Sequence, residues 1–402
     1  MTNQEKKVPE LRFPEFDGEW EEKTIGKIAT TFSGGTPSST NRSYYNGEIP
    51  FIRSGEISKS STELMINKEA ISNSSAKMVE KGDLLYALYG ATSGEVAISK
   101  INGAINQAVL CIRSQESATY IFNYLKMKKD QILKTYIQGG QGNLSASIIK
   151  KVDINLPYIE EQEKIGTFFS KLDRQIELEE QKLAKLEEQK KGYMQKIFSQ
   201  QLRFKDENGN DYPEWKKKKL DDVANYRRGS FPQPYGNKEW YDEKNGEPFV
   251  QVVDVDKNMK LHNQTKQKIS DLAKPKSVKG FKGDIVVTLQ GSIGRVALLH
   301  YDAYIDRTLL LIDSFKIEMN KNYFKYVLYL LFLKEKERAP GGTIKTITKK
   351  VLSNFKIDIP NVGEQEKIGK FFEKYDKCIQ KQSNKIELLK KRKKSFLQKM
   401  FV

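Results

Sequence analysis

The side chains with the most chemistry to offer form two sets, one in each half of the chain. Tyr44, Tyr45, Arg53, Ser54, Gln107, Gln141 and Asn143 stand in or beside expected loops of the first half. Arg227, Arg228, Tyr235, Gln251, Gln290, Arg307, Lys345 and Thr346 do so in the second. Arginine can take guanine with two parallel hydrogen bonds, and asparagine or glutamine can take adenine. Any one of these residues is an ordinary surface residue. Only as a doubled set on a basic chain do they point to the reading of bases.

Patterns for catalysis are missing. The two histidines, His262 and His300, have no cysteine or carboxylate at metal-ligand spacing. The chain has no G-x-x-x-x-G-K-[ST] phosphate loop and no G-x-S-x-G elbow. Gly90 to Gly94 and Gly291 to Gly294 read as hairpin turns. Asn155-Leu156-Pro157-Tyr158 approaches the Asn-Pro-Pro-Tyr motif with which adenine methyltransferases hold a flipped base. Here the second position is Leu, and the counterpart Asp358-Ile359-Pro360-Asn361 keeps only the Pro. An apolar strand, Val152 to Leu156, ending at a proline is the expectation. The chain is therefore expected to hold no metal or cofactor of its own and to be no enzyme.

Charge says more. Of 402 residues, 69 are Lys or Arg and 52 Asp or Glu, a net charge of +17. Residues 1–200 hold 27 basic and 26 acidic side chains, residues 201–402 hold 42 and 26. A surplus on that scale points to a polyanion, because Lys and Arg that neutralise phosphates release condensed counterions. A solubility device, or a surface for an acidic protein, would use the same charges. Lys216 to Lys219 and Lys390 to Lys394 read as phosphate contacts or solvated runs, not as base readers. The longest apolar stretch, Tyr326 to Leu333, is too short to span a bilayer, and the first residues show no secretory h-region. Cys111 and Cys378 make no disulfide framework. A cytoplasmic setting is expected.

These residues must be positioned by a structure that occurs twice. Leu11-Arg12-Phe13 returns as Leu202-Arg203-Phe204, Trp20 as Trp215, and Pro50-Phe51-Ile52 as Pro248-Phe249-Val250. Lys81-Gly82-Asp83 returns as Lys282-Gly283-Asp284. Gln162 to Gly166 returns unchanged as Gln365 to Gly369. From Trp20 onward the shift drifts from 195 to 203 along the first part of each copy and stays at 203 to the end. Such a period is far too long for a solenoid. It predicts a pseudo-twofold pair of similar domains.

The invariant segments read as long helices. Apolar positions fall at Ile165, Phe169, Leu172, Ile176, Leu183, Leu186, Tyr193 and Ile197, and at Ile368, Phe372, Tyr375, Ile379, Ile386, Leu389, Phe396 and Met400. Steps of three and four make a coiled-coil seam, with polar Glu179, Lys190, Gln382 and Lys393 able to fix register. Residues 161–198 would make a rod of about 57 Å. Its economical partner is its own repeat, with packing on its own module or dimerisation with another chain as the other solutions. The modules read as α+β: strand, turn and strand around residues 84–98 and 285–299, then helices near 118–135 and 320–337. The expected domains are 1–158, 159–200, 201–361 and 362–402.

At this point the residues resemble a known family. Leu11-Arg12-Phe13-Pro14 through Gly18-Glu19-Trp20, Pro50-Phe51-Ile52-Arg53, and Leu156-Pro157 followed by Glu161 to Gly166, duplicated at Ile359-Pro360 and Glu364 to Gly369, are similar to the specificity subunit of type I restriction–modification systems. The resemblance covers essentially the whole chain. It implies two target-recognition domains, each reading one half of a bipartite, asymmetric sequence in double-stranded DNA, with the paired helices as spacer. It also implies two modification subunits that bring S-adenosylmethionine and methylate adenine, and ATP-dependent restriction subunits in the full complex. An antiparallel coiled coil is expected, since parallel helices would put both modules at one end. Three other readings stay open on the residues alone: a stand-alone sequence-specific DNA-binding regulator, an enzyme with an unrecognised nuclease or methyltransferase site, and a scaffold for acidic proteins.

Overall fold

The computed structural model describes residues 8–136, 143–338 and 349–402. The chain divides into two compact units, residues 1–182 with 383–402, and residues 183–382.

In unit 1 the elements follow as β1 (Glu21–Thr24), α1 (Ile25–Ile28), β2 (Ala29–Ser33), β3 (Ile49–Ile52), β4 (Met65–Ile66), α2 (Lys68–Ser72) and β5 (Lys77–Val79). Then come β6 (Leu84–Ala87), β7 (Val96–Ile98), β8 (Gly103–Ile105), β9 (Val109–Ser114), α3 (Ala118–Tyr136), α4 (Ala146–Lys150), β10 (Asp153–Leu156) and the part up to Lys182 of the long α5 (Ile159–Phe198). Two four-stranded sheets result, ordered β2-β9-β6-β7 and β4-β3-β8-β5, with a two-stranded pair β1-β10 beside them. Strand β6 shows why its sequence, Leu84-Leu85-Tyr86-Ala87, is apolar throughout. Successive side chains point to opposite faces. Leu85 and Ala87 join Ile52, Ile105 and Cys111 between the sheets, while Leu84 and Tyr86 face the helices with Tyr120, Tyr124, Ile165 and Phe169. Both faces are buried, so no alternation survives.

Unit 2 repeats the plan: β11 (Lys216–Lys219), α6 (Leu220–Val223), β12 (Ala224–Arg228), β13 (Glu247–Val250), β14 (Gln267–Ile269), β15 (Val278–Gly280), β16 (Ile285–Thr288) and β17 (Val296–Leu298). There follow β18 (Ala303–Ile305), β19 (Leu309–Phe315), α7 (Lys321–Arg338), α8 (Lys349–Ser353), β20 (Lys356–Ile359) and the part up to Gln382 of α9 (Val362–Lys399). The sheets are β12-β19-β16-β17 and β14-β13-β18-β15, with β11-β20 as the pair. Ile285 and Val287 of β16 face the helices and Val286 faces the second sheet. Lys216 to Lys219, expected as a phosphate-binding or solvated run, forms a strand paired residue for residue with Ile359 to Lys356, with Lys216, Lys217 and Lys219 exposed. Buried Trp215 and Leu220 flank it and hold it in place.

The repeated sequence signatures are the joints of this plan. Arg12 donates from Nε and Nη2 to Glu161 at 2.8 and 2.7 Å, and Arg203 makes the same fork on Glu364 at 3.2 and 2.6 Å. Both glutamates are fully buried. A bidentate guanidinium partner is what makes a buried carboxylate tolerable. Gln162 donates to the Pro157 carbonyl and accepts from the Ser117 amide, and Gln365 does so with Pro360 and Asn320. Gly166 closes the motif because a Cβ there would stand 2.0 Å from Thr119 Oγ1; at Gly369 it would stand 2.7 Å from Asn320 Oδ1.

Within each unit a stretch of α5 pairs with a stretch of α9, and the direction is antiparallel. In unit 1, Phe168 lies edge-on to Phe396, Lys393 reaches Asp173 at 2.5 Å, and Lys385 reaches Glu179 at 2.9 Å. In unit 2, Lys190 reaches Asp376 at 2.6 Å, Tyr193 meets Tyr375, and Phe198 stacks on Phe372. As one number rises the other falls. Ile165, Phe169, Ile176, Ile386, Leu389 and Met400 are buried in unit 1, with Leu172 and Phe396 half-buried. Ile197, Ile368 and Phe372 are buried in unit 2, and Leu183, Leu186, Tyr375 and Ile379 half-buried. Tyr193 is 37% exposed, and its neighbour Met194 takes the inward place. Of the polar seam positions, Glu179, Lys190 and Lys393 make ion pairs. Burial works against a charged Asp376, but Lys190 and Lys325 outweigh it and hold its pKa below the ordinary Asp value. Burial lowers the pKa of Lys325, against the pull of Asp376. No helix among the described residues is long and apolar enough to cross a membrane.

Candidate nucleic-acid interface

Strand direction gathers four loops at one edge of each unit. In unit 1, β3 runs parallel to β8, so the residues that follow them emerge side by side, with Asn106 N donating to Ile52 O at 3.3 Å. The end of β2 at Ser33 pairs with Leu110, and the end of β6 at Ala87 pairs with Val109, both at the start of β9. Unit 2 does the same. β13 is parallel to β18, Arg228 pairs with Leu310, and Thr288 pairs with Leu309. Where the chain leaves β2 it crosses the end of β8 so closely that a Cβ on Gly34 would lie 1.7 Å from Ile105 O. Gly229 repeats this against Ile305 and Asp306.

Most of the expected reading residues sit on these edges, but not all are free to read. In unit 1, Arg53 is held by Glu56 at 2.9 Å and Glu63 at 2.5 Å, and these partners raise its pKa in that order. Glu56 is buried and also accepts from the Glu63 amide at 2.9 Å. Ser54 opens the short 3-10 turn between them. Tyr44 and Tyr45 are half-buried against Phe51, Ile66 and Ala104, and Tyr45 OH donates to Pro37 O at 2.7 Å. Gln107 is exposed on the β8–β9 turn. Its Oε1 accepts from Thr36 Oγ1 at 2.5 Å, and its carbonyl accepts from Tyr89 OH at 2.5 Å. Three loops are thereby tied together. Asn143 is exposed just before α4.

In unit 2 the geometry brings three expected residues into one group. Tyr235 OH donates to Asp306 Oδ2 at 2.7 Å and accepts from Gln251 Nε2 at 2.8 Å. The Arg307 guanidinium lies over the Tyr235 ring, 5.2 Å from its centre. Asp306 is buried and also accepts from the Thr308 amide at 2.9 Å and from the Thr308 hydroxyl. Burial, and then the bond to Asp306, push the Tyr235 phenol well above its usual pKa. Arg227 and Arg228 are exposed on edge strand β12, with Arg227 facing Asp313 at 3.3 Å and donating to Lys279 O. Gln290 is exposed beside the Gly291–Gly294 turn. Gln141, Lys345 and Thr346 lie outside the described residues.

Thr36, Tyr89 and Thr308 were not singled out in the sequence; Thr36 precedes Pro37 and Tyr89 precedes Gly90, the positional signals that could have found them. Asn155, of the methyltransferase-like tetrapeptide, donates to Val402 O at 3.1 Å from within strand β10, and Tyr158 is 75% exposed. No group of three or more His, Cys, Asp or Glu among the described residues is placed to hold a metal ion.

Known proteins agree with this organisation. The chain is 26% identical to the type I restriction enzyme MjaIX specificity subunit of Methanocaldococcus jannaschii, over 95% of this chain and 92% of that one. The MjaVIII specificity subunit of the same organism is also 26% identical, covering 98% and 93%. The fold is that of the S subunit of a type I restriction-modification system from M. genitalium, with a TM-score of 0.64 over 98% of this chain and 99% of that one at 15% identity. Specificity subunits of type I systems are generally non-catalytic. The family model described as type I restriction modification DNA specificity domain matches residues 17–188 and again 212–391, and the chain belongs to that family.

Proposed function

We propose that this chain is the DNA-reading subunit of a type I restriction–modification complex, in which each unit takes one half of a bipartite, asymmetric target. The observation that carries this is the pairing of two nearly identical frames with two different loop edges. One edge presents Gln107 tied to Thr36, the other Arg307 on Tyr235. Equal frames on unequal edges suit two half-sites that differ in sequence. The surplus of basic residues after position 200 supplies the phosphate attraction that positions such an edge on DNA. The remaining candidates, including Arg228, Gln251, Gln290 and Asn143, are proposed as direct or water-mediated contacts around these two.

In this reading the paired helices fix the gap between the half-sites. Half-sites read from one face of DNA are separated by about one turn, near 34 Å, and a 40-residue helix such as α5 is about 60 Å long. The chain supplies no catalysis. Two modification subunits bring S-adenosylmethionine, and restriction subunits bring the ATP-dependent cleavage activity; this chain binds neither cofactor. Its place of work is the cytoplasm. The test is an insertion of four residues within α5, followed by sequencing of the methylated motifs in cells that carry the chain and its modification subunit. Both half-sites should persist while the preferred gap lengthens, or binding should be lost. An unaltered gap would refute the spacer role. Failure of methyltransferase chains to copurify, with a stable lone homodimer instead, would favour a stand-alone regulator.

A further inference from the structure

Arginines on the loop edges differ sharply in what occupies them. Arg53 spends its donors on Glu56 and Glu63, Arg227 on Asp313 and the Lys279 carbonyl, and Arg295 donates to the Val255 carbonyl at 3.0 Å. Arg113 pairs with Asp83 while lying over Phe32. Arg307 is the one arginine among the described residues that rests on an aromatic ring without a carboxylate partner. That ring is itself fixed. Tyr235 is bonded at its hydroxyl to both Asp306 and Gln251, packs on Phe231, and takes the Tyr241 hydroxyl on its carbonyl at 2.9 Å. A guanidinium held over a ring by cation–π attraction, with no carboxylate on it, keeps its planar fork of donors for a ligand. That fork matches the two major-groove acceptors of guanine, O6 and N7.

We propose that Arg307 reads a guanine in the half-site taken by unit 2, with Tyr235 as the platform that orients it. The assignment rests on the DNA-reading function proposed above and gives it a base and a residue. Unit 1 carries Gln107 at the equivalent turn, so the two half-sites should differ at the corresponding base pair.

The test is selection from a randomised duplex library by the full chain assembled with its modification subunits. Arg307→Ala and Arg307→Lys are compared with the unsubstituted chain. Arg307 is exposed, so neither change disturbs the core. The unsubstituted chain should return a two-part motif. Both variants should lose preference at a single G·C pair of one part, by roughly five- to 150-fold, with the other part unchanged. Lysine should lose less than alanine, since its ammonium can still reach both acceptors but lacks the preset planar fork. If alanine keeps the preference at that pair, or weakens binding to every sequence alike while the salt slope falls by about one, Arg307 does not read a base and the proposal is overturned. If the unsubstituted chain returns no motif at all, the DNA-reading function itself fails, a result distinct from the others.

Discussion

In unit 1 the strand after the buried tryptophan is Glu21-Glu22-Lys23-Thr24; in unit 2 it is four lysines. Both strands pair antiparallel with the strand that precedes a long helix, over four residues each. Backbone pairing and the buried residues on either side specify the strand, so its outward charge is free to reverse. The loop edges show the same division. Gly34 and Gly229 make the same crossing, yet the residues they lead to form a Thr36–Gln107 contact in one unit and a Tyr235–Gln251–Asp306–Arg307 group in the other. Duplication preserved what is buried and paired, and released what faces solvent. One buried joint departs from this. Trp215 Nε1 donates to Glu364 at 2.9 Å, whereas Trp20 Nε1 is buried with no partner among the described residues.

The comparison can be pressed from its strongest point downwards. Phe169 and Phe372 are both fully buried and each stacks on a second aromatic ring, Phe401 and Phe198 respectively. Phe169→Ala and Phe372→Ala should each cost about 3–5 kcal/mol of unfolding free energy in urea titrations. A loss in one and not in the other would break the equivalence of the frames. Glu364 and Glu161 should differ. Removing either takes the charge partner from a half-buried arginine, at about 1.5–3 kcal/mol, but Glu364→Ala also orphans the Trp215 indole and should exceed Glu161→Ala by about 1 kcal/mol. Equal losses would mean that the indole bond contributes nothing. The smallest effect concerns acid. The Asp376 carboxyl titrates below its unfolded value, so its stabilising contribution is complete above about pH 5 and fades as pH falls through about 4 and lower. Melting at pH 7 and pH 3 should show a smaller drop for Asp376→Asn than for the unsubstituted chain, by on the order of 1 kcal/mol. Parallel drops would remove the carboxylate from the account.

Much of this frame was legible because it is periodic. The seam steps of three and four, the doubled Gln-Glu-Lys-Ile-Gly and the apolar strand runs each report a regular element. Lys216 to Lys219 was not legible, because its conformation is imposed by β20, some 140 residues further along the chain. Nor was the capture of Arg53 by Glu56 and Glu63, since charge pairs across a tight turn leave no periodic trace. Tyr235, Gln251 and Arg307 could be proposed singly from residue type. The parallel pairing of β13 with β18 brings Gln251 and Arg307 side by side, and the crossing at Gly229 leads the chain on to Tyr235. The place of Met194 shows the limit of a heptad read from letters: a half-polar tyrosine can sit at the rim while the flexible neighbour fills the gap.

The composition of the two units has a consequence for biosynthesis. Unit 2 is a continuous stretch, whereas unit 1 includes residues 383–402, and Met400 and Phe401 complete its core. A chain leaving the ribosome at about 5–20 residues per second therefore exposes every part of the later unit before residues 383–402 of the earlier one, whose aromatic pocket stays open until they follow.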